Sequence, residues 1–179
     1  DNGNPIAVYH STPNMDFTEF AVGDIGFHFG NQTQALKRAN KKGKGRIIGA
    51  YLNIKNPLNF GIDLTDWTAS ATAINLWNLD IISKNDFEKI HKLSIESDSR
   101  YNSPSTNLLH KILADKGYDG IIYENDFEGE GKSYIAFYPE QVIIFDDGKG
   151  KKAQFSISES YKKEIDEWDG KSKKTFYVG

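Results

Sequence analysis

The sequence has 179 residues, of which 38% are hydrophobic, 13% aromatic and 26% charged, and its formal net charge is -3. This composition is typical of a soluble globular domain and excludes a largely disordered chain. Because the sequence contains no cysteine, a disulfide framework, a thiolate zinc site and a cysteine nucleophile are excluded. No apolar run approaches the roughly 20 residues of a membrane-spanning helix. The chain begins with Asp1, so we expect a domain cut from a longer protein.

The first part of the chain predicts a β-β-α-β order. Short apolar runs predict strands over residues 6–10, 26–30 and 46–54. Between the last two, Thr33 is expected to cap a helix over residues 34–40, because its hydroxyl can accept a backbone N–H bond.

Helices and then strands follow. Ser83 is expected to cap a helix, and the pair Ser103-Pro104 predicts the start of another that Gly117 ends. Residues 94–104 are polar and predict a loop, and Asn56-Pro57 predicts the end of a strand. The remaining predicted elements are a helix over 66–79 and strands over 121–123, 133–138 and 142–145.

A change of composition after residue 147 predicts a boundary. We expect a main domain over 1–147 and a C-terminal appendage over 148–179, made of a linker, a helix and a short strand. Ser156 and Glu159 predict a capping box for that helix. Docking is a more natural role for the appendage than catalysis.

Two histidines, His10 and His28, fall inside predicted strands. Each is either a core histidine with satisfied hydrogen bonds or part of a site. The histidines lack the spacing of metal ligands, and the sequence lacks the GxSxG, GxxxxGK[ST] and GxGxxG motifs. These absences argue against a metal site, a serine hydrolase, a P-loop and a Rossmann fold.

Charge is segregated along the chain. A basic run extends from Lys37 to Arg46, and an acidic loop extends from Glu124 to Glu130. The basic run is either a solvated helix end or a rim that attracts phosphate. The acidic loop is either a solubilising surface loop or a source of a functional carboxylate.

Five motifs follow one another along roughly residues 3 to 145. They are Tyr9-His10-Ser11-Thr12, Gly26-Phe27-His28-Phe29-Gly30 with Ala35 and Arg38, Tyr51 to Leu58, Gly117 to Tyr123, and Ser133 to Val142. Their order resembles that of the ADP-ribosyltransferase domains of phage and prophage polyvalent proteins and of bacterial toxins. The resemblance implies an α+β fold with a split, strongly curved β core and peripheral helices, which binds NAD as substrate between its halves and needs no metal.

The resemblance also implies roles for the first two motifs. His10 would contact the adenosine-side ribose and belong to the catalytic set. The backbone of Ser11 would hold the nicotinamide amide, and Thr12 would help to orient it. In the second motif, His28 stands where a ring-stacking Tyr is typical, and a protonated imidazole there would repel the nicotinamide cation. The same motif predicts NAD contacts from Gly26, Phe29 and Gly30.

Arg38 is a candidate for a phosphate contact, the alternative being a helix-end role. Tyr134 is predicted to face either the core or the nicotinamide pocket. If His28 stacks while neutral, activity is expected to fall below its ordinary pKa of roughly 6.5.

One branch of the ADP-ribosyltransferases is named His-Tyr-Glu after its three site residues. The resemblance to this branch implies a catalytic Glu directly before the Tyr-Ile strand, where this sequence has Ser133. A serine cannot supply the carboxylate. Glu128 is therefore the first candidate catalytic residue and Glu130 the second, because the neighbouring glycines allow the loop to fold back toward the cleft.

The function that the resemblance implies is mono-ADP-ribosyl transfer from NAD to a protein or nucleic-acid acceptor, in a phage or toxin effector. The alternatives are an NAD glycohydrolase and an inactive domain that only binds a partner. We expect a soluble domain of a larger protein, with no membrane partner, acting in the cytoplasm of a target cell.

Overall fold

Three layers make up the fold in the computed structural model, which describes residues 6–13, 24–41, 45–97 and 103–146. A three-stranded sheet forms one outer layer and a four-stranded sheet the middle. The second, third and fourth helices pack on the far side of the middle sheet, whereas the first helix packs against the three-stranded sheet. The strands and helices are β1 Val8–Thr12, β2 Phe27–Phe29, α1 Gln32–Lys41, β3 Arg46–Leu52, β4 Pro57–Asn59, α2 Ala69–Asn78, α3 Lys84–Glu96, α4 Pro104–Asp115, β5 Gly120–Glu124, β6 Lys132–Ala136 and β7 Val142–Asp146.

The three-stranded sheet has the order β1-β3-β7 and is antiparallel throughout. The four-stranded sheet has the order β2-β6-β5-β4, in which only the β4–β5 pair is parallel. A bridge between Tyr9 and Gly30, with N···O distances of 2.8 and 3.0 Å, joins β1 of one sheet to the chain just after β2 of the other. The two sheets therefore meet where the first two sequence motifs lie.

Alternation along β6 divides the core in two. Ile135 pairs with His28 and Ile121, so these three side chains share the face that packs toward the helices. The next residue, Ala136, belongs to the opposite face, which packs against the three-stranded sheet. Residues that alternate along this strand consequently serve different parts of the molecule.

Local signals mark two helices correctly. Ser83 and Asp86 form a capping box at the start of α3. Ser103 caps α4, and Pro104 occupies its first turn. The turn after α4 contains Gly117 at φ +88°, a conformation that favours glycine.

Several predicted boundaries differ from the structure. Helix α1 is capped by Asn31 and not by Thr33, because the Asn31 Oδ1 atom accepts the Gln34 N–H at 2.9 Å. The helix predicted over 66–79 begins only at Ala69, and α3 continues to Glu96, into the predicted loop.

Strand β3 already ends at Leu52, and Pro57 begins the next strand, β4. Proline is tolerated at the first position of an edge strand, where its missing N–H removes no ladder bond. The predicted appendage over 148–179 lies outside the described residues.

Candidate active site

His10 and His28 are neighbours across the junction of the two sheets. The Nδ1–H of His10 donates to the backbone carbonyl of His28 at 2.7 Å. His10 also lies against the ring of Phe29, with ring centroids 5.6 Å apart. The hydrogen bond fixes the orientation of the His10 ring and holds the two motifs together.

The His28 imidazole is enclosed by aromatic side chains. Its Nδ1 atom lies 3.2 Å from the Tyr123 hydroxyl, and the Trp67 ring meets it edge-on at 5.7 Å. Burial, followed by the charges of Arg38 and His10, lowers the pKa of His28 to about 3. With such a pKa His28 is neutral at physiological pH, so this group is no longer expected to cause a fall in activity near pH 6.5.

Two adjoining cavities open around His28. The first has a volume of about 40 Å³, which is too small for a dinucleotide, whereas the second has about 350 Å³ and falls in the usual range of ligand sites. The first is lined by Ser11, Phe29 and Gly30 among others. Four residues line both cavities, so that the two form one cleft: His28, Arg38, Tyr123 and Glu128.

The loop between β5 and β6 carries Glu128 into this cleft. The Asn125 N–H donates to the Gly131 carbonyl at 2.9 Å and closes the loop, and its side-chain Oδ1 accepts the N–H of Glu128 at 2.8 Å. Gly129 and Gly131 have φ values of +129° and +117°. These positive φ angles fold the loop back toward the cleft, as the glycine spacing predicts.

Glu128 and Glu130 have different surroundings. The Glu128 side chain is 15% exposed, and its Oε1 lies 2.9 Å from the Arg38 Nη1. Glu130 is exposed, and its backbone carbonyl accepts a 3.3 Å bond from the Asn31 amide. Only Glu128 lines the cleft, which favours it as the functional carboxylate.

Ser133 fills a structural position. Its side chain is buried, its hydroxyl accepts from the Asn125 amide at 2.9 Å, and it donates to the Gln34 Oε1 at 3.3 Å. The hydroxyl that stands where the resemblance expects a Glu thus links the loop to α1.

Some residues predicted for the site lie away from the cavity walls. Thr12 is buried, and Gly26 lies against β6, where an added Cβ would stand 2.4 Å from the Ala136 carbonyl oxygen. Tyr134 packs with the core between the two sheets, on the face opposite His28. Of the residues that the structure describes, five predicted ones line neither cavity: His10, Thr12, Gly26, Glu130 and Tyr134.

Tyr123 and Trp67 are cleft residues that the sequence alone did not identify. Tyr123 pairs with Ser133 across β5 and β6, which places it on the same sheet face as His28. Its ring contacts Trp67 at a centroid distance of 4.6 Å. Alternation from His28 through β6 is the signal that identifies Tyr123, but it requires the strand register.

Asp63 ties Trp67 to the acidic loop. Its Oδ1 accepts the Trp67 indole N–H at 3.2 Å, and its Oδ2 accepts the Asp126 N–H at 3.3 Å. Burial raises the pKa of Asp63, and the nearby charge of Glu128 acts in the same direction. The larger cavity is lined by four carboxylates and one guanidinium, those of Asp24, Asp63, Asp66, Glu128 and Arg38. A cationic group is therefore favoured there.

The basic run does not form one surface in the described residues. Arg46 is buried on β3, and Arg38 is paired with Glu128. Lys37 is exposed on α1. Lys42 and Lys44 lie outside the described residues, so the phosphate-attracting rim stays a prediction, of which Arg38 is the residue that lines the cleft.

Among the residues that the structure describes, no group of three or more His, Asp or Glu side chains is arranged to hold a metal ion. In the same part of the chain, every helix is too short or too polar to cross a bilayer.

Comparison with known proteins identifies a family for this chain. A family model described as ADP-ribosyltransferase in polyvalent proteins matches residues 1–152. One solved structure, titled "Crystal structure of an anti-CRISPR protein", has 17% sequence identity, with 78% of this chain and 93% of that chain covered. Its TM-score of 0.29 is too low to support an argument, and curated proteins yield no match. Because the family model covers most of the chain and the observed fold is the α+β fold that it implies, the chain belongs to the ADP-ribosyltransferase domains of polyvalent proteins.

Proposed function

We propose that this domain transfers a single ADP-ribosyl group from NAD to a macromolecular acceptor, either protein or nucleic acid. We further propose that it is an effector domain of a larger phage or toxin protein and acts in the cytoplasm of a target cell. Family membership supports the transferase activity. One observation carries the proposal further: the cleft wall contains a carboxylate, Glu128, on a loop that is held by its own hydrogen bonds.

The proposed reaction requires few titratable groups. The bond between the anomeric carbon of the ribose and the nicotinamide nitrogen breaks, and its electron pair leaves with neutral nicotinamide. Glu128 stabilises the positive charge that develops at the anomeric carbon and accepts a hydrogen bond from a ribose hydroxyl. The acceptor then bonds to that carbon and releases its proton to solvent.

The remaining cleft residues would bind and orient NAD. In this proposal Ser11 holds the nicotinamide amide through its backbone, and the neutral His28 ring lies against the nicotinamide. The Tyr123 hydroxyl holds the His28 ring in place through the contact with its Nδ1 atom. The negative potential of the larger cavity favours the positively charged nicotinamide ring before the bond breaks.

His10 is proposed to contact the adenosine-side ribose from its place beside His28. Thr12 would orient this segment from its buried position. Arg38, 46% exposed, is within reach of the cleft as a phosphate ligand. Tyr134 is omitted from the proposed NAD contacts because it packs between the sheets.

Incubation with doubly labelled NAD tests the proposal. Free nicotinamide, free ADP-ribose and label on macromolecules are counted after incubation with a cell lysate, and digestion with protease or nuclease identifies the class of acceptor. Transfer predicts nicotinamide release matched by label on macromolecules. Release matched by free ADP-ribose would instead identify an NAD glycohydrolase. No release in any lysate would identify an inactive binding domain.

A further inference from the structure

The Gln34 side chain uses all four hydrogen-bonding positions of its amide. Its Oε1 accepts the Asn31 N–H at 2.7 Å and the Ser133 hydroxyl at 3.3 Å. Its Nε2 donates to the carbonyls of Gly129 at 2.8 Å and Gly131 at 3.2 Å. These carbonyls can only accept, and the Asn31 N–H can only donate, so the partners fix the orientation of the amide.

Capping of α1 explains only one of these four bonds. In a capping box, the residue at the third helical position accepts the N–H of the cap residue, as Gln34 does for Asn31. The Nε2 bonds are additional, because both lead to the loop that carries Glu128. Gln34 is 2% exposed, so water cannot replace these bonds without rearrangement of the loop.

Gln34 lines the first cavity, and its amide lies close to Gly30. A Cβ added at Gly30 would stand 2.2 Å from the Gln34 Oε1 atom. Glycine at position 30 therefore lets the first helical turn approach the strand closely enough for the amide to reach the loop. Gly30 lines the first cavity, and this packing against Gln34 is a second reason why the position requires glycine.

We infer that Gln34 is a positioning residue that sets the place of the Glu128 carboxylate by clamping loop 125–131 at both Gly129 and Gly131. The inference rests on the proposed function, since it assigns Glu128 the transition-state role. Ser133 and Asn125 extend the clamp. The Ser133 hydroxyl bonds to the side chains of Gln34 and Asn125, and the Asn125 side chain accepts the Glu128 N–H. Loss of the clamp would move the carboxylate without removing it.

The test compares two buried glutamines with the same bonding pattern. Gln141 accepts two backbone N–H bonds, from Phe137 and Tyr138, and donates to two backbone carbonyls, those of Asn53 and Asp119. It lines neither cavity. Gln34→Leu is expected to lower turnover by roughly 10- to 100-fold, because misplacement of a catalytic group by about 1 Å has that effect. Gln141→Leu is expected to lower stability but to keep turnover within about twofold, since distant sites act independently.

A double variant separates positioning from general structural damage. If Gln34 acts through Glu128, Gln34→Leu should cause no further loss of turnover in a Glu128→Gln background. A further loss there, or equal turnover in the Gln34→Leu and Gln141→Leu variants, would overturn the inference. If Gln34→Leu does not fold, Gln34→Glu replaces it, because it keeps the acceptor oxygen and loses the two amide donors.

Hydrogen exchange gives a readout that does not depend on activity. Gln34→Leu should accelerate exchange at the N–H groups of Asn125 and Glu128, and Gln141→Leu should not. Unchanged protection of these two groups would also overturn the inference. If the wild-type protein releases no nicotinamide but the Gln34→Leu variant shows this loss of protection, the proposed function is rejected and the clamp itself remains established.

Discussion

The Arg38 guanidinium lies 2.9 Å from the Glu128 carboxylate, and both side chains form part of the wall between the two cavities. A dinucleotide that occupies the cleft would offer each a better partner, a phosphate for Arg38 and a ribose hydroxyl for Glu128. Because Arg38 is 46% exposed, the ion pair contributes at most about 1 kcal/mol and its exchange costs little. The pair keeps both groups at the cleft in the absence of NAD.

The two loop glutamates provide a direct test of the carboxylate assignment. Glu128→Gln is expected to lower turnover by ~10²-fold, because it removes charge that stabilises the transition state, with little change in NAD affinity. Glu130→Gln is the matched control, since its side chain is exposed on the same loop, and it should retain near-normal turnover. Nicotinamide release and NAD binding are measured separately. Equal effects of the two substitutions would contradict the assignment.

Arg38→Gln should weaken NAD binding by roughly 10-fold, the usual contribution of a charge-assisted hydrogen bond. Lys37→Gln is the control, because Lys37 is the preceding residue of α1 and lines neither cavity. Calorimetric titration with NAD measures both affinities. If the two variants bind NAD equally well, Arg38 serves Glu128 and not the phosphates.

His28 predicts a loss of stability in acid. Its folded pKa of about 3 lies below the ordinary value of 6.5, so the unfolded chain binds the proton more readily as pH falls, and stability that is present above pH 6.5 is lost below it. Between pH 7 and pH 5, the free energy of unfolding of His28→Gln should therefore fall by about 2 kcal/mol less than that of the wild type. Urea unfolding at each pH gives the free energies.

His91→Gln serves as the control for this comparison, because His91 is exposed on α3. It removes an exposed imidazole by the same substitution and so controls for the change from histidine to glutamine itself. A His28→Gln variant with the same pH dependence as the wild type would show that the imidazole is accessible to solvent in the folded protein.

Gly26 is expected to be structural. Gly26→Ala places a Cβ 2.4 Å from the Ala136 carbonyl oxygen at φ +153°, so it should destabilise the fold by several kcal/mol, roughly 2–4. Gly61→Ala is the control, because Gly61 has φ +81° but open space around it, and should cost only about 1 kcal/mol. Urea unfolding separates the two. A stable Gly26→Ala variant with weakened NAD binding would instead support a direct contact with NAD.

Local sequence signals were sufficient for elements whose ends are chemically marked. Ser83 and Asp86 bond to each other's backbone N–H groups at the start of α3. Ser103 accepts a backbone N–H three residues later at the start of α4, where Pro104 follows it in the first turn. Such helix starts can be predicted without any tertiary information. Strand β4 has no such mark. It pairs in parallel with β5, more than 60 residues later in the chain, and a three-residue run beginning with Pro57 carries too little pattern to predict that pairing.

The site was predictable to the extent that it depends on order along the chain. His10 and His28 are neighbours as the motif order implies, because β1 and β2 meet at the sheet junction. Glu128 lies with His28 on the cleft wall because the loop folds back, whereas His10 lines neither cavity. The choice between Tyr134 and Tyr123 depends on which face of β6 opens to the cleft. Alternation predicts that Tyr134 and Ile135 lie on opposite faces of the sheet. Only the pairing of Ile135 with His28 shows that Ile135, and not Tyr134, lies on the face of His28.

A carboxylate carried by a loop requires a different search pattern from one carried by a strand. On a strand, register fixes the residue, so a single aligned column reveals it. Here the position of Glu128 follows from Asn125 three residues before it and from Gln34 in the first turn of α1. Chains with serine at the strand position are therefore better examined for an Asn-x-x-Glu loop together with a helix-capping Asn-x-x-Gln than for a glutamate before the Tyr-Ile strand.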